Sequence, residues 1–182
     1  MSTNSLPYTD PKPLGAADFY YAINATFSHV RSRYGAAGLQ DYWRGLGRDY
    51  QRPVWERWRV GGLPAVAEYW IAFFAHEPGG SVEVRTDVDA VTLDVRECPA
   101  ISHLRRGDRD ILDTFCHHCA VMGDAAAEQA GLAIRLVGGN GRCVQICTVR
   151  EGTPPQDPRV ISLCAGPAER PGAEATAPVG EA

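Results

Sequence analysis

The run LAIRLVGGNGRCVQICTV (Leu132 to Val149) constrains the fold more than any other part of the chain. Two apolar segments flank Asn140–Gly141, and an Asn-Gly pair supplies the two left-handed residues that a tight hairpin turn requires. By the period of two that governs a strand, Cys143, Gln145 and Cys147 share one face of the second segment, and Val144, Ile146 and Thr148 take the other. Upstream, SVEVRTD and AVTLDVREC alternate in the same way, with Val82, Val84, Val91, Leu93 and Val95 facing one side. RVISLC reads as a last strand.

The first half follows a different period. In AADFYYAINATFSHVRSRYG, Phe19, Ile23, Phe27 and Val30 recur at helical spacing, and Gly35 is the stop. GLQDYWRGLGRDY is a weaker helix. A further helix opens at Pro53, breaks at Gly61–Pro64, and runs through Tyr69, Trp70, Phe73 and Phe74 until Pro78. CPAISHLRRG turns at Pro99 into a short helix, and DRDILDTFCHHCAVMGDAAAEQAG forms the main helix of the second half, ended by Gly131. Helices first, then strands around one more helix, specify an α+β fold: N-terminal helices packed on an antiparallel sheet, with one long cysteine-bearing helix.

A chain of 182 residues has room for one substantial core, assigned to 15–164. Residues 1–14 are rich in Pro, Ser and Thr, and 165–182 are Pro, Ala, Gly and Glu with little to bury, so both ends are expected to be disordered. A net charge of -4 argues against nucleic acid as a partner. No apolar run is long enough to span a bilayer, and MSTNSLPYTDPKP lacks the basic start and apolar core of a secretory signal, so the cytoplasm is the expected compartment. A homo-oligomer is left open.

In a reducing compartment, six cysteines are better read as buried thiols, metal ligands or nucleophiles than as disulfides. All lie in the second half, at positions 98, 116, 119, 143, 147 and 164. At about 100° per residue, Leu112, Cys116, Cys119, Gly123 and Ala126 share one helical face, with Asp110, Asp113, His117 and Asp124 opposite. If that face meets the strand carrying Cys143 and Cys147, thiols from distant segments converge, and Cys98 is placed to join them.

Three readings of that convergence compete. Free cysteines pack as small hydrophobes. Cys98, Cys116, Cys119 and Cys143 could instead hold zinc, since CHHC spaces two thiolates by two residues. Or one thiol is a nucleophile: Cys143 follows the GGNG turn, whose N–H groups could stabilise an oxyanion, with His117, His118 or His103 as base. Gln145 on the inward face needs a hydrogen-bond partner, from a polar ligand or a buried backbone group. Trp55, Trp58 and Trp70 could line a pocket, although aromatics at this spacing are more often core.

WERWRVGGLPAVAEYWIAFF, VTLDVRECPAISHL, FCHHC and GLAIRLVGGNGRCVQ together resemble the L-2-amino-thiazoline-4-carboxylate hydrolase family, over residues 15–150. Those bacterial proteins open a cyclic amidine-type ring on the way to cysteine, a step of amino-acid metabolism. The resemblance implies hydrolysis of a non-peptide C–N bond in a small heterocycle, by a divalent metal (zinc or manganese) or a reactive thiol. The family's cysteine pattern falls on Cys98, Cys116 and Cys143; Cys119 is an addition to it. On this basis Cys143 or Cys116 would attack the amidine carbon, or metal-bound water would do so, with His117 or His103 shuttling the proton. Trp58 and Trp70 would flank the heterocycle, Asn140 and Gln145 would contact it, and Arg135 or Arg105 would hold its carboxylate. The layout is also similar to sensor domains related to 4-vinyl reductase, which bind small molecules near a cysteine-rich zinc site.

Overall fold

The computed structural model describes residues 19–77 and 79–165. The expected disordered ends, apart from Ala165, and the helix stop at Pro78 lie outside the described residues. The fold is α+β. Helix α1 (Phe19–Gly45) is followed by a π-helical turn (Leu46–Tyr50) and by α2 (Arg52–Ala75). Strands β1 (Ser81–Thr86) and β2 (Ala90–Glu97) lead into α3 (Pro99–Arg106) and α4 (His117–Gln129). Strands β3 (Leu132–Gly139), β4 (Arg142–Val149) and β5 (Ile161–Ser162) complete the chain. No helix among the described residues is long and apolar enough to cross a membrane.

Both expected helix breaks are present as backbone kinks. Gly35 (φ 71°) divides α1 and Gly62 (φ 60°) divides α2, each in a conformation that side-chain-bearing residues rarely adopt. The sheet runs β1-β2-β4-β3-β5, antiparallel except for β3 with β5. Its register confirms the alternation read from the sequence. Val95, Cys143 and Gly138 lie side by side, as do Leu93, Gln145 and Leu136, and Val91, Cys147 and Ile134. These rows face the helices. Leu93, Ile134 and Leu136 are almost fully buried, and each contributes about 1.5–3 kcal/mol by leaving water.

The helix expected from Asp108 onward begins only at His117. The preceding segment is bound to α1 instead. Buried Asn24 donates to the Asp110 carbonyl (2.7 Å) and accepts from the Leu112 N–H (3.0 Å). Arg31 pairs with the Asp113 carboxylate, which also accepts the Thr114 N–H at 2.7 Å. These bonds take up backbone groups that a helix would pair internally, so tertiary partners override the local helical pattern. The cysteine-bearing helix is therefore shorter than expected, and Cys116 is the residue just before it. Cys116 nonetheless points inward, and Ala126 and Ala127 are fully buried on the same helix.

Candidate functional site: a thiol cluster on the hairpin turn

Asn140 and Gly141 both have positive φ (54° and 106°), as a two-residue hairpin turn requires. The turn is also the hub of the thiol cluster. The Gly141 carbonyl accepts the Cys98 N–H at 2.9 Å, anchoring the start of α3. The Asn140 N–H donates to the Cys116 sulfur at 3.2 Å. The Asn140 side-chain oxygen accepts the Ala165 N–H (3.1 Å) and a guanidinium N–H of Arg105. The Cys164 N–H donates to the Asp113 carbonyl (2.7 Å), which brings its sulfur to 3.3 Å from that of Cys116.

Five of the six thiols gather here. Cys116 and Cys164 are buried in one apolar cluster with Phe27, Trp43 and Phe115, and Cys98, Cys119 and Cys143 pack against it. Cys147 sits apart, in a second cluster with Trp55, Trp58 and Trp70. The expected convergence of Cys98, Cys116, Cys119 and Cys143 is present. Among the described residues, no three His, Cys, Asp or Glu side chains are grouped closely enough to hold an ion.

The thiols are not electrostatically alike. Burial pushes Cys98 up to about 11, against the opposing N–H groups of Ile101 and Ala100. Burial pushes Cys119 up to about 12. Cys143 is raised by burial and by Cys119 and Cys98, although the Gln145 amide favours its thiolate. Cys164 moves the other way. Its sulfur is hydrogen-bonded with that of Cys116, the backbone N–H groups of Cys116 and Asn140 face it, and the Arg105 guanidinium lies near. Together these outweigh burial and hold Cys164 below the ordinary thiol range, while the hydrogen bond with Cys164 and burial raise Cys116.

His118, between Phe115, Phe27 and Trp43, shares a short hydrogen bond between Nδ1 and the Phe115 carbonyl, while Nε2 lies 3.4 Å from the Cys119 sulfur. Since the carbonyl can only accept, Nδ1 carries the proton and Nε2 accepts from the Cys119 thiol. Burial lowers the His118 pKa, partly offset by Phe115 and by Cys164. Burial also lowers His117, against the attraction of Asp113. His103 stacks beside Tyr21, with ring centroids 4.8 Å apart.

The remaining candidates divide between the two ends of the sheet. Asn140 and Arg105 belong to the thiol cluster. Gln145 is buried behind it, beside Cys143. Trp58 and Trp70 are core residues of the other cluster, and Trp58 also borders a shallow recess with Val54, Arg57 and Tyr69. Arg135 donates to Asp124 (2.6 Å) and to the Pro154 carbonyl (2.6 Å). Asp124 also takes Arg150 and the Ile134 N–H, so this group seals the edge of β3 against α4.

Sequence reasoning did not single out Cys164. It ends the last apolar strand, directly before the Pro-rich tail, and its one signal was a cysteine closing that strand. Compared with known proteins, the chain matches no family model and no curated protein.

Proposed function

We propose that the chain is a thiol-dependent hydrolase that opens a C–N bond in a small cyclic amidine or thiazoline-type heterocycle, with Cys164 as its nucleophile. One observation carries this reading: two backbone N–H groups, a neighbouring thiol and a guanidinium all favour a thiolate at that sulfur. A nucleophilic cysteine needs such surroundings, and a merely packed one does not. The resemblance to the thiazoline-carboxylate hydrolases supplies the substrate class.

In this mechanism Cys164 adds to the amidine carbon, the ring nitrogen leaves with a proton, and water then frees the sulfur. Exposed Arg105, which also donates to Asn140, holds the substrate carboxylate, a role that suits it better than the less accessible Arg135, which is ion-paired with Asp124. His118 lies within electrostatic reach of Cys164 and is held neutral, the state in which an imidazole accepts a proton. Cys164 is only 5% exposed, so substrate reaches it when the segment at 163–165 moves off the turn.

The test is turnover of a thiazoline carboxylate by the wild-type chain and by Cys164→Ser, with metal content measured on both. Turnover that needs Cys164 and no metal supports the reading. Unchanged turnover in the variant removes Cys164 from the chemistry. A second reading is a small-molecule-binding sensor or accessory domain, similar to those related to 4-vinyl reductase, with a structural zinc or cysteine cluster. Its support is that Cys98, Cys119 and Cys143 are partly buried with raised pKa values, as packing thiols are. Stoichiometric zinc, or a heterocycle bound and returned unchanged, would favour it.

A further inference from the structure

Cys116 and Cys164 are 48 residues apart in the chain, yet their sulfurs lie 3.3 Å apart. Three features hold them there. The Asn140 N–H binds the Cys116 sulfur, the Cys164 N–H binds Asp113, and the Ala165 N–H binds the Asn140 side chain. Gly139 makes the approach of the two segments possible. A Cβ at that position would lie 2.7 Å from the Ser162 carbonyl oxygen and 3.3 Å from Cβ of Cys116, so any larger residue would force the last strand away from β3. A disulfide needs its sulfurs at about 2.05 Å, roughly 1 Å closer than they stand here. The other thiol nearest in kind, Cys119, is occupied by the His118 ring.

We propose that Cys116 and Cys164 are a redox-active pair that forms a reversible disulfide with peroxides, clamping the β5 segment onto the start of α4. The Cys164 thiolate attacks one oxygen of the peroxide; the O–O bond breaks, hydroxide leaves, and a sulfenic acid forms. Cys116 then attacks the sulfenic sulfur, the S–O bond breaks, and water leaves as the disulfide closes. Two thiols lose two electrons and the peroxide gains them, while an external dithiol reverses the step by exchange. Exposed Leu163 and Ala165 flank Cys164, so a molecule as small as hydrogen peroxide has a short path to it. The inference needs neither a heterocycle nor turnover and stands apart from the hydrolase reading.

The experiment treats the full chain with hydrogen peroxide, unfolds it, alkylates the remaining thiols, and maps the peptides by mass spectrometry. The expected result is loss of two of the six alkylatable thiols, a Cys116–Cys164 cross-linked peptide, and full recovery with dithiothreitol. Cys116→Ser should leave Cys164 as a sulfenic acid that dimedone traps, and Cys164→Ser should keep all its remaining thiols. Retention of six thiols in the wild-type chain would overturn the proposal, as would a disulfide between any other pair. Because the wild-type map decides the matter, poor folding of a variant does not blunt the test.

Discussion

Cys147 and Cys164 are buried about equally, yet they occupy opposite environments. Cys147 is fully enclosed among Val91, Ile134 and the tryptophan-rich cluster, where burial pushes it up to about 12. Cys164 is 5% exposed but lies among donors from Cys116 and Asn140, with Arg105 beside it, and is held below the ordinary range. Burial therefore does not decide whether a thiol is inert. What sets Cys164 apart is first the hydrogen bond with the Cys116 side chain, and then the backbone N–H groups of Cys116 and Asn140; N–H groups alone do not suffice, since two of them face Cys98 and it stays raised.

The sharpest way to break this contrast is substitution. Cys164→Ser should abolish turnover of a thiazoline carboxylate, whereas Cys147→Ser should retain it in the folded fraction; equal loss in both would erase the distinction. Next in size is the apolar end itself. Ile134→Ala, at a fully buried position facing Cys147, should lower unfolding stability by about 2–5 kcal/mol in urea titration. A cost below that range would mean that the cluster is loosely packed. At the thiol-rich end, Asn24→Ala should cost about 1–3 kcal/mol, because the Asp110 carbonyl and Leu112 N–H lose their partner. It should also loosen the segment leading into Cys116, seen as faster amide exchange there.

The smallest effect is on the pH dependence of stability, and its sign differs between the two ends. The folded-state pKa of Cys164 is depressed, so its contribution is full above the unfolded thiol value of about 8.5 and is lost as pH falls through the folded value. Cys147 and Cys119 are raised, so their contribution is full below that value and is lost as pH rises toward about 12. Stability should therefore rise slightly on approaching about 8.5 from neutrality and fall beyond it. Cys164→Ser should remove the rise and keep the fall, as read from urea midpoints across the range.

Much of the fold was legible because it rests on local periodicity. The alternation of Val91, Leu93 and Val95, the Asn140–Gly141 turn and the breaks at Gly35 and near Gly62 are all local signals that the structure reproduces. The start of α4 was not legible, since Asn24 reaches it from 86 residues away in sequence. The same holds for the site. The gathering of Cys98, Cys116, Cys119 and Cys143 follows from faces and topology. The standing of Cys164 does not, because its donors come from three segments that meet only in the folded chain. Trp58 and Trp70 were drawn toward the ligand by chemistry alone, and they pack in a different cluster from the one that buries Cys116 and Cys164.

The most direct measurement is alkylation of the native chain by iodoacetamide across pH, with each cysteine followed by peptide mapping. The account expects Cys164 to react first at neutral pH, with a half-point below the ordinary thiol range, and Cys147 to react only on unfolding. Labelling of Cys164 no faster than Cys147 at neutral pH, or with a half-point at or above that range, would contradict it.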